Sequence, residues 1–200
     1  MMDTPMAADP DPQDVNARIA QRVRALRAAG GLSLQALAER SGVSRSMISL
    51  IERGAASPTA VVLDRLAGGL GVPLAGLFEA GCQARGPLRR HGEQTVWRDP
   101  ASGYERRALS PPGWPSPLQL VEVVFPPGAR VAYETGLRRP ALQQQIWMLA
   151  GSIDIALGED RFALNAGDCL AMVLDQSIVF SNPRPEPARY LLATLDPLAP

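Results

Sequence analysis

The sequence predicts a multidomain chain of α plus β class: a small all-helical unit followed by an all-β sandwich or barrel. Three observations carry this reading. Between Asp14 and Phe78, apolar residues recur at helical spacing, and capping and breaking residues separate the segments. Beyond Gly81, short alternating or apolar runs are split by Pro, Gly, Asn and Asp at near-even intervals. The chain has 200 residues, 46% of them hydrophobic, enough for one or two domains with buried cores.

Residues 1–12 hold three Asp and three Pro among small residues and read as a disordered tail. Val15, Ile19, Val23 and Leu26 then share one helix face, and Gly30-Gly31 ends that helix. Ser33 caps a second helix, Leu34 to Arg40, which Gly42 breaks; Ser44 opens a third, Ser44 to Glu52. Ser57-Pro58-Thr59 starts a fourth helix with Val62, Leu63, Leu66 and Leu70 as its stripe, and 73–78 reads as a short fifth. These five helices form a unit over residues 13–80. Residues 81–92, with Arg85, Arg89, Arg90 and His91, read as a linker. The β unit takes 93–200, with strands expected near 94–98, 104–109, 118–125, 130–134, 143–150, 152–157, 161–164, 169–174, 177–181 and 188–195. Many short strands with regular turn signals suit a sandwich or small barrel.

Composition narrows the chemistry. The 20 basic and 20 acidic residues cancel, so any polyanion binding must come from charge segregated along the chain. Residues 13–80 carry eight Arg against five acidic residues, a modest segregation of that kind. All basic residues are Arg, which excludes a Schiff-base or phosphate-loop lysine. One histidine, His91, leaves little room for metal or general-base chemistry. Cys82 and Cys169 form no CxxC or zinc pattern and read as buried or idle thiols of a reducing compartment. The N-terminus has no secretory pattern, and no apolar run is long enough for a bilayer, so a cytoplasmic protein without membrane contact is expected.

Counting from Leu34, Ala38 falls fifth, Gly42 ninth, Ile48 fifteenth and Ile51 eighteenth in a twenty-residue window ending at Arg53. A small residue where two helices touch, a glycine in the tight turn and branched residues facing back make a helix-turn-helix; a plain helical hairpin is the alternative. The stretch GLSLQALAERSGVSRSMISLIERGAASPT resembles the Xre type of lambda-repressor-like DNA-binding domain, over residues 15–78. The resemblance implies that the third helix enters the major groove of a double-stranded operator. Arg45, Ser46, Ser49 and Leu50 would then face base edges, and Ser44, Arg22 and Arg53 phosphates. Arg22 reads equally well as a solvated charge. One such domain binds weakly alone, so a homodimer on a palindrome is expected, with the second unit as the dimerising element.

The PPGA turn at Pro126–Ala129, the run QQIWMLAGSIDIALGEDRFALNAGDCLAM from Gln144 to Met172, and Phe180-Ser181-Asn182 resemble the cupin barrel, a double-stranded β-helix or jelly roll. The resemblance implies a barrel that senses a small molecule and holds a dimer. Metal-binding members carry histidines and a glutamate; at the matching positions this chain has Gln144, Arg138, Arg139, Pro140 and Ile178, so neither metal nor other cofactor is expected. Strand alternation places Gln144, Ile146 and Met148 on one face, and Ile178 with Phe180 on another, joined by Tyr133, as a candidate ligand pocket. Core packing is the plain alternative for each except Gln144, whose buried amide needs a partner. Asn165 and Asp168 read as turn residues, and Trp147, on the opposite face, as a dimer or sheet contact.

This pocket suits a small, largely apolar effector with one or two hydrogen-bonding groups, and Arg138 and Arg139 near its mouth would admit a carboxylate. Three functions fit the chain. The favoured one is a ligand-responsive transcriptional regulator, with repression as its direction, and not an enzyme. The others are a DNA-binding module whose barrel only dimerises, and a cupin enzyme carrying a helical appendage.

Overall fold

The computed structural model describes residues 12–78, 86–134 and 141–196. Residues 1–11 of the expected tail, Cys82, Arg85, Arg138, Arg139 and Pro140 therefore lie outside the described residues, and the tail's last residue, Pro12, is helical.

Four α-helices open the described chain: α1 (Pro12–Ala29), α2 (Leu34–Ser41), α3 (Arg45–Glu52) and α4 (Ala60–Leu70). The expected fifth helix is a 3-10 turn, Leu74–Phe78. Pro73 removes a backbone donor at its start, and five residues are too few to repay α-helix nucleation. The first helix begins at Pro12, two residues before the apolar pattern, because proline suits the first helical position. Capping follows the hydroxyl residues. Ser33 Oγ accepts the Ala36 N–H at 3.0 Å, Ser44 Oγ the Met47 N–H at 3.2 Å, and Thr59 Oγ1 the Val62 N–H at 3.4 Å. Gly42 sits at φ 66° and sends its N–H to the Ala38 carbonyl, so the turn between α2 and α3 needs a residue without a Cβ penalty.

Ile19, Val23, Leu37, Ile48, Ile51, Leu63 and Leu66 form the helical core. The tightest approach is between α2 and α4, where a Cβ on Gly69 would stand 2.8 Å from Ser41 Cβ and 3.1 Å from its backbone N. Gly69→Val is accordingly expected to lower stability by about 1–3 kcal/mol through overpacking, read as a lower urea midpoint at an unchanged slope.

Ten strands follow among the described residues: β1 (Val96–Arg98), β2 (Glu105–Ala108), β3 (Leu118–Phe125), β4 (Arg130–Tyr133), β5 (Gln143–Ala150), β6 (Ser152–Leu157), β7 (Asp160–Asn165), β8 (Cys169–Val173), β9 (Ile178–Ser181) and β10 (Ala188–Leu195). A 3-10 turn, His91–Glu93, precedes them in the expected linker. The strands form two antiparallel sheets, ordered β1-β2-β3-β10-β5-β8 and β4-β9-β6-β7. This is the layered arrangement of a jelly-roll barrel, with Val121, Phe125, Ile146, Met148, Ile153, Ile155 and Phe180 packed between the sheets. Asn182, fully buried, holds one end together. Its Nδ2 donates to the Glu186 carbonyl at 2.8 Å and to the Phe125 and Pro126 carbonyls at 3.3 Å, and its Oδ1 accepts the Arg184 N–H.

The helical and β units touch. Asp99, 2% exposed, accepts the Ala60 N–H at the start of α4 at 2.9 Å. Phe78 and Trp97 pack with ring centroids 5.6 Å apart.

Candidate functional site

Two regions bring sequence-predicted residues together. The first is the surface of α3. Ile48 and Ile51 face the helical core, which turns Arg45, Ser46 and Met47 to solvent and leaves Ser49 and Leu50 half-buried. Ser44 does two things: its Oγ caps the helix and lies 3.2 Å from Ser46 Oγ. Arg53, just past the helix, is exposed. Arg22 is placed differently from the rest. Its Nε donates to the Gly76 carbonyl at 3.0 Å, which ties α1 to the 3-10 turn.

The sequence reading missed what orients α3. Arg27 on α1 grips Glu52 at the end of α3 with Nε and Nη2 at 2.6 and 2.8 Å, and its Nη1 reaches the Leu32 carbonyl. The Glu52 hydrogen bond raises the Arg27 pKa further above its ordinary value, so the pair stays charged. Nothing in the local pattern marks a pair 25 residues apart.

The second region is a cavity of about 50 Å³ inside the barrel. Tyr133, Gln144, Ile178 and Phe180 line it, as the alternation suggests. Ile146 and Met148 do not; they are fully buried between the sheets, so for them the core-packing alternative fits the placement. The Gln144 amide has an internal partner, donating through Nε2 to Thr194 Oγ1 at 2.9 Å.

The unexpected lining residues are Arg106, Tyr104 and Tyr190. Arg106 lies in a strand that reads Glu-Arg-Arg, a run that suggests a solvated edge. Strand alternation is the signal that would have found it, because the face that buries Tyr104 also carries Arg106. Arg106 pairs with Val123, and Val123 with Tyr190, so the three form one inward row across the sheet. Tyr104 and Tyr133 hydroxyls are 2.8 Å apart. Burial pushes the pKa of Tyr104, Tyr133 and Tyr190 up, so all three phenols are neutral donors at pH 7. Burial opposes the Arg106 charge, but the phenols, Tyr104 foremost, outweigh it and its pKa lies above the ordinary value.

This donor set does not fit a metal. A guanidinium, phenols, an amide, the Thr194 hydroxyl, a single carboxylate (Asp64) and apolar carbons line the cavity, with no histidine or cysteine among them. Among the described residues, no group of three or more His, Cys, Asp or Glu side chains is placed to hold a metal ion. Also among them, no helix is long and apolar enough to cross a membrane.

A third feature is the outward face of the six-stranded sheet. Its rows run Leu118–Leu195–Gln143–Val173, Leu120–Ala193–Gln145–Ala171 and Glu122–Leu191–Trp147–Cys169. At one side the face becomes charged: Arg107 extends the Glu122 row, the next row holds Glu105, Val124 and Arg189, and Arg189 is paired with Glu122. Trp147 is 51% exposed. Cys169 is free and exposed because it sits on this outer face, so of the two readings, buried or idle, the buried one does not hold for it.

A capped helix pair joined by a glycine turn, seated on a two-sheet antiparallel barrel, defines a helix-turn-helix fold followed by a jelly-roll domain. Residues 23–77 match the helix-turn-helix family model HTH_3, and this part of the chain is an Xre-type helix-turn-helix domain. The HTH-type transcriptional regulator SutR of Escherichia coli (strain K12) is 47% identical over 51 residues, which are 26% of this chain and 29% of SutR. The match thus spans under a third of that regulator. An HTH_3-family transcriptional regulator from Vibrio cholerae shares the whole fold, with a TM-score of 0.76 at 23% identity over 93% of this chain and 99% of that one. The cupin domain of an XRE-family transcriptional regulator from Enterobacter cloacae is similar at 13% identity and a TM-score of 0.43, over 47% of this chain and 97% of that domain.

Proposed function

We propose that this protein is a sequence-specific DNA-binding transcriptional regulator of the repressor type, a cytoplasmic homodimer whose barrel senses a small organic molecule without a metal. The observation that carries the proposal is the exposed N-terminal half of α3, held by the Arg27–Glu52 clamp within a helix-turn-helix domain. In this reading residues 13–80 bind DNA, 81–92 connect, and 93–200 dimerise and sense. Arg45, Ser46, Ser49 and Leu50 meet base edges, while Ser44 and Arg53 meet phosphate. Arg22 holds the 3-10 turn through its Nε, which leaves its other guanidinium nitrogens for phosphate.

The outward sheet face supports the dimer. Two uncharged rows and the Leu191–Trp147–Cys169 part of the third form an exposed, largely apolar patch, bordered by Glu122, Arg107 and Arg189, of the kind that marks an association surface. The cavity supports sensing.

Selection from a random DNA library with the full-length protein tests the proposal. The expected result is a pseudo-palindrome with half-sites about one helical turn apart. Arg45→Ala should relax base preference at one position in each half-site, at roughly 1–3 kcal/mol per contact. A library that returns no enriched motif would overturn DNA recognition.

A further inference from the structure

The barrel cavity contains a charge, Arg106, that the cupin resemblance does not announce. Arg106 is 9% exposed, and its side chain faces phenols rather than carboxylates. Removing a guanidinium from water is costly unless an opposite charge meets it. Among the described residues no acidic side chain forms an ion pair with Arg106; its hydrogen-bonding neighbour is Tyr104. The other charged residue lining the cavity is Asp64 of α4, which has a partner of its own. A built cluster of one cation and neutral hydroxyl donors, with no carboxylate ion-paired to that cation among the described residues, is complementary to an anion from outside.

We infer that the cavity takes a small organic anion of the carboxylate class, with its charged group on Arg106 among Tyr104, Tyr133 and Tyr190 and its apolar part against Leu142, Leu174 and Ile178. This deepens the sensing reading given above and rests on it. A planar carboxylate accepts two parallel N–H bonds from a guanidinium and further bonds from phenols, which a neutral amide of the same shape cannot match. The apolar walls distinguish an organic anion from an inorganic one, since sulfate or phosphate gains nothing from leucine and isoleucine.

Size then connects the ligand to the DNA-binding unit. The cavity is about 50 Å³, whereas a benzene-sized ligand occupies a cavity of about 150 Å³. A ligand larger than a few atoms therefore presses on the walls of this partly open cavity. One wall is Pro73, Leu74 and Ala75, which belong to the helical unit and follow directly on α4. Entry of such a ligand shifts the helical unit on the barrel, which gives the two sites a physical coupling.

The test uses the full-length chain with a panel of monocarboxylates from acetate to phenylacetate, the amides of the same skeletons, and inorganic sulfate and phosphate. Thermal shift and calorimetry are run at constant ionic strength. The expected result is at least one carboxylate binding tenfold or more tightly than its amide, and that preference disappears in Arg106→Met. Tyr133→Phe, which keeps the charge and the core volume, is a gentler second variant; it should weaken the carboxylate several-fold and leave the amide unchanged. Amides that bind as well as carboxylates, a preference that survives Arg106→Met, or a panel without a binding carboxylate would each overturn the inference. Inorganic anions that bind as tightly as the best carboxylate would overturn the organic assignment. A carboxylate that binds through Arg106 but leaves operator affinity unchanged would uphold the anion site and defeat the sensing reading instead.

Discussion

Trp147→Glu is expected to yield a monomer and to weaken operator binding by roughly 100-fold or more, because a two-site attachment becomes a one-site attachment. Trp147 lies near the middle of the outward face, between Leu191 on β10 and Cys169 on β8. A carboxylate there would be buried in a symmetric interface opposite largely apolar rows, and Arg189, the cation of the neighbouring row, is already paired with Glu122. The same substitution on a free monomer costs little, because the position is already half exposed. Light scattering and operator titration read the two effects separately. A variant that remains dimeric at micromolar concentration places the interface on another surface, and a monomeric variant that binds the operator as tightly as the wild type removes the need for a dimer.

Most of the architecture is legible in the sequence because it depends on local signals. Ser33, Ser44 and Thr59 cap the helices they precede, and Gly42 makes the turn that its spacing suggests. The ten strands fall where Pro, Gly and Asn bracket apolar runs, with ends displaced by up to two residues. The fifth helix is the exception: Pro73 and a five-residue length favour the tighter 3-10 form, a choice that apolar spacing alone does not reveal. The site is legible only in part. Tyr133, Gln144, Ile178 and Phe180 reach the cavity because alternation orders each strand, but alternation does not say how deep along the barrel a residue lies. Ile146 and Met148 share the face of Gln144 and are sealed in the core. Arg106 was hidden by its charge, since a strand with Glu105 and Arg107 beside it reads as solvated. The Arg27–Glu52 clamp and the Asp99–Ala60 contact are long-range pairs that local periodicity does not encode.

Asp99→Ala is expected to loosen the helical unit from the barrel and to lower stability by about 1–3 kcal/mol, the usual cost of losing a hydrogen bond to a charged, buried acceptor. Three contacts hold the units together, and their strengths differ. Arg65–Glu134 spans 3.2 Å, but its side chains are 37% and 75% exposed, so it contributes at most about 1 kcal/mol. The Phe78–Trp97 packing is apolar and tolerates sliding. Asp99 is directional: one oxygen accepts the first N–H of α4, and the other accepts the Ser102 N–H at 2.9 Å, which fixes the carboxylate in place. A carboxylate at this end of a helix is also favoured by the macrodipole. Because α4 leads into Pro73–Ala75, the contact sets where the cavity wall stands. Amide hydrogen exchange should therefore show faster exchange at Ala60 and across 74–78 in the variant, with α3 unchanged. Operator binding should persist, since neither α3 nor the outward sheet face is touched, while any ligand effect on it shrinks. Unchanged exchange at Ala60 and an unchanged denaturation midpoint would mean that the two units are held by packing alone, and that the helix start does not position the wall.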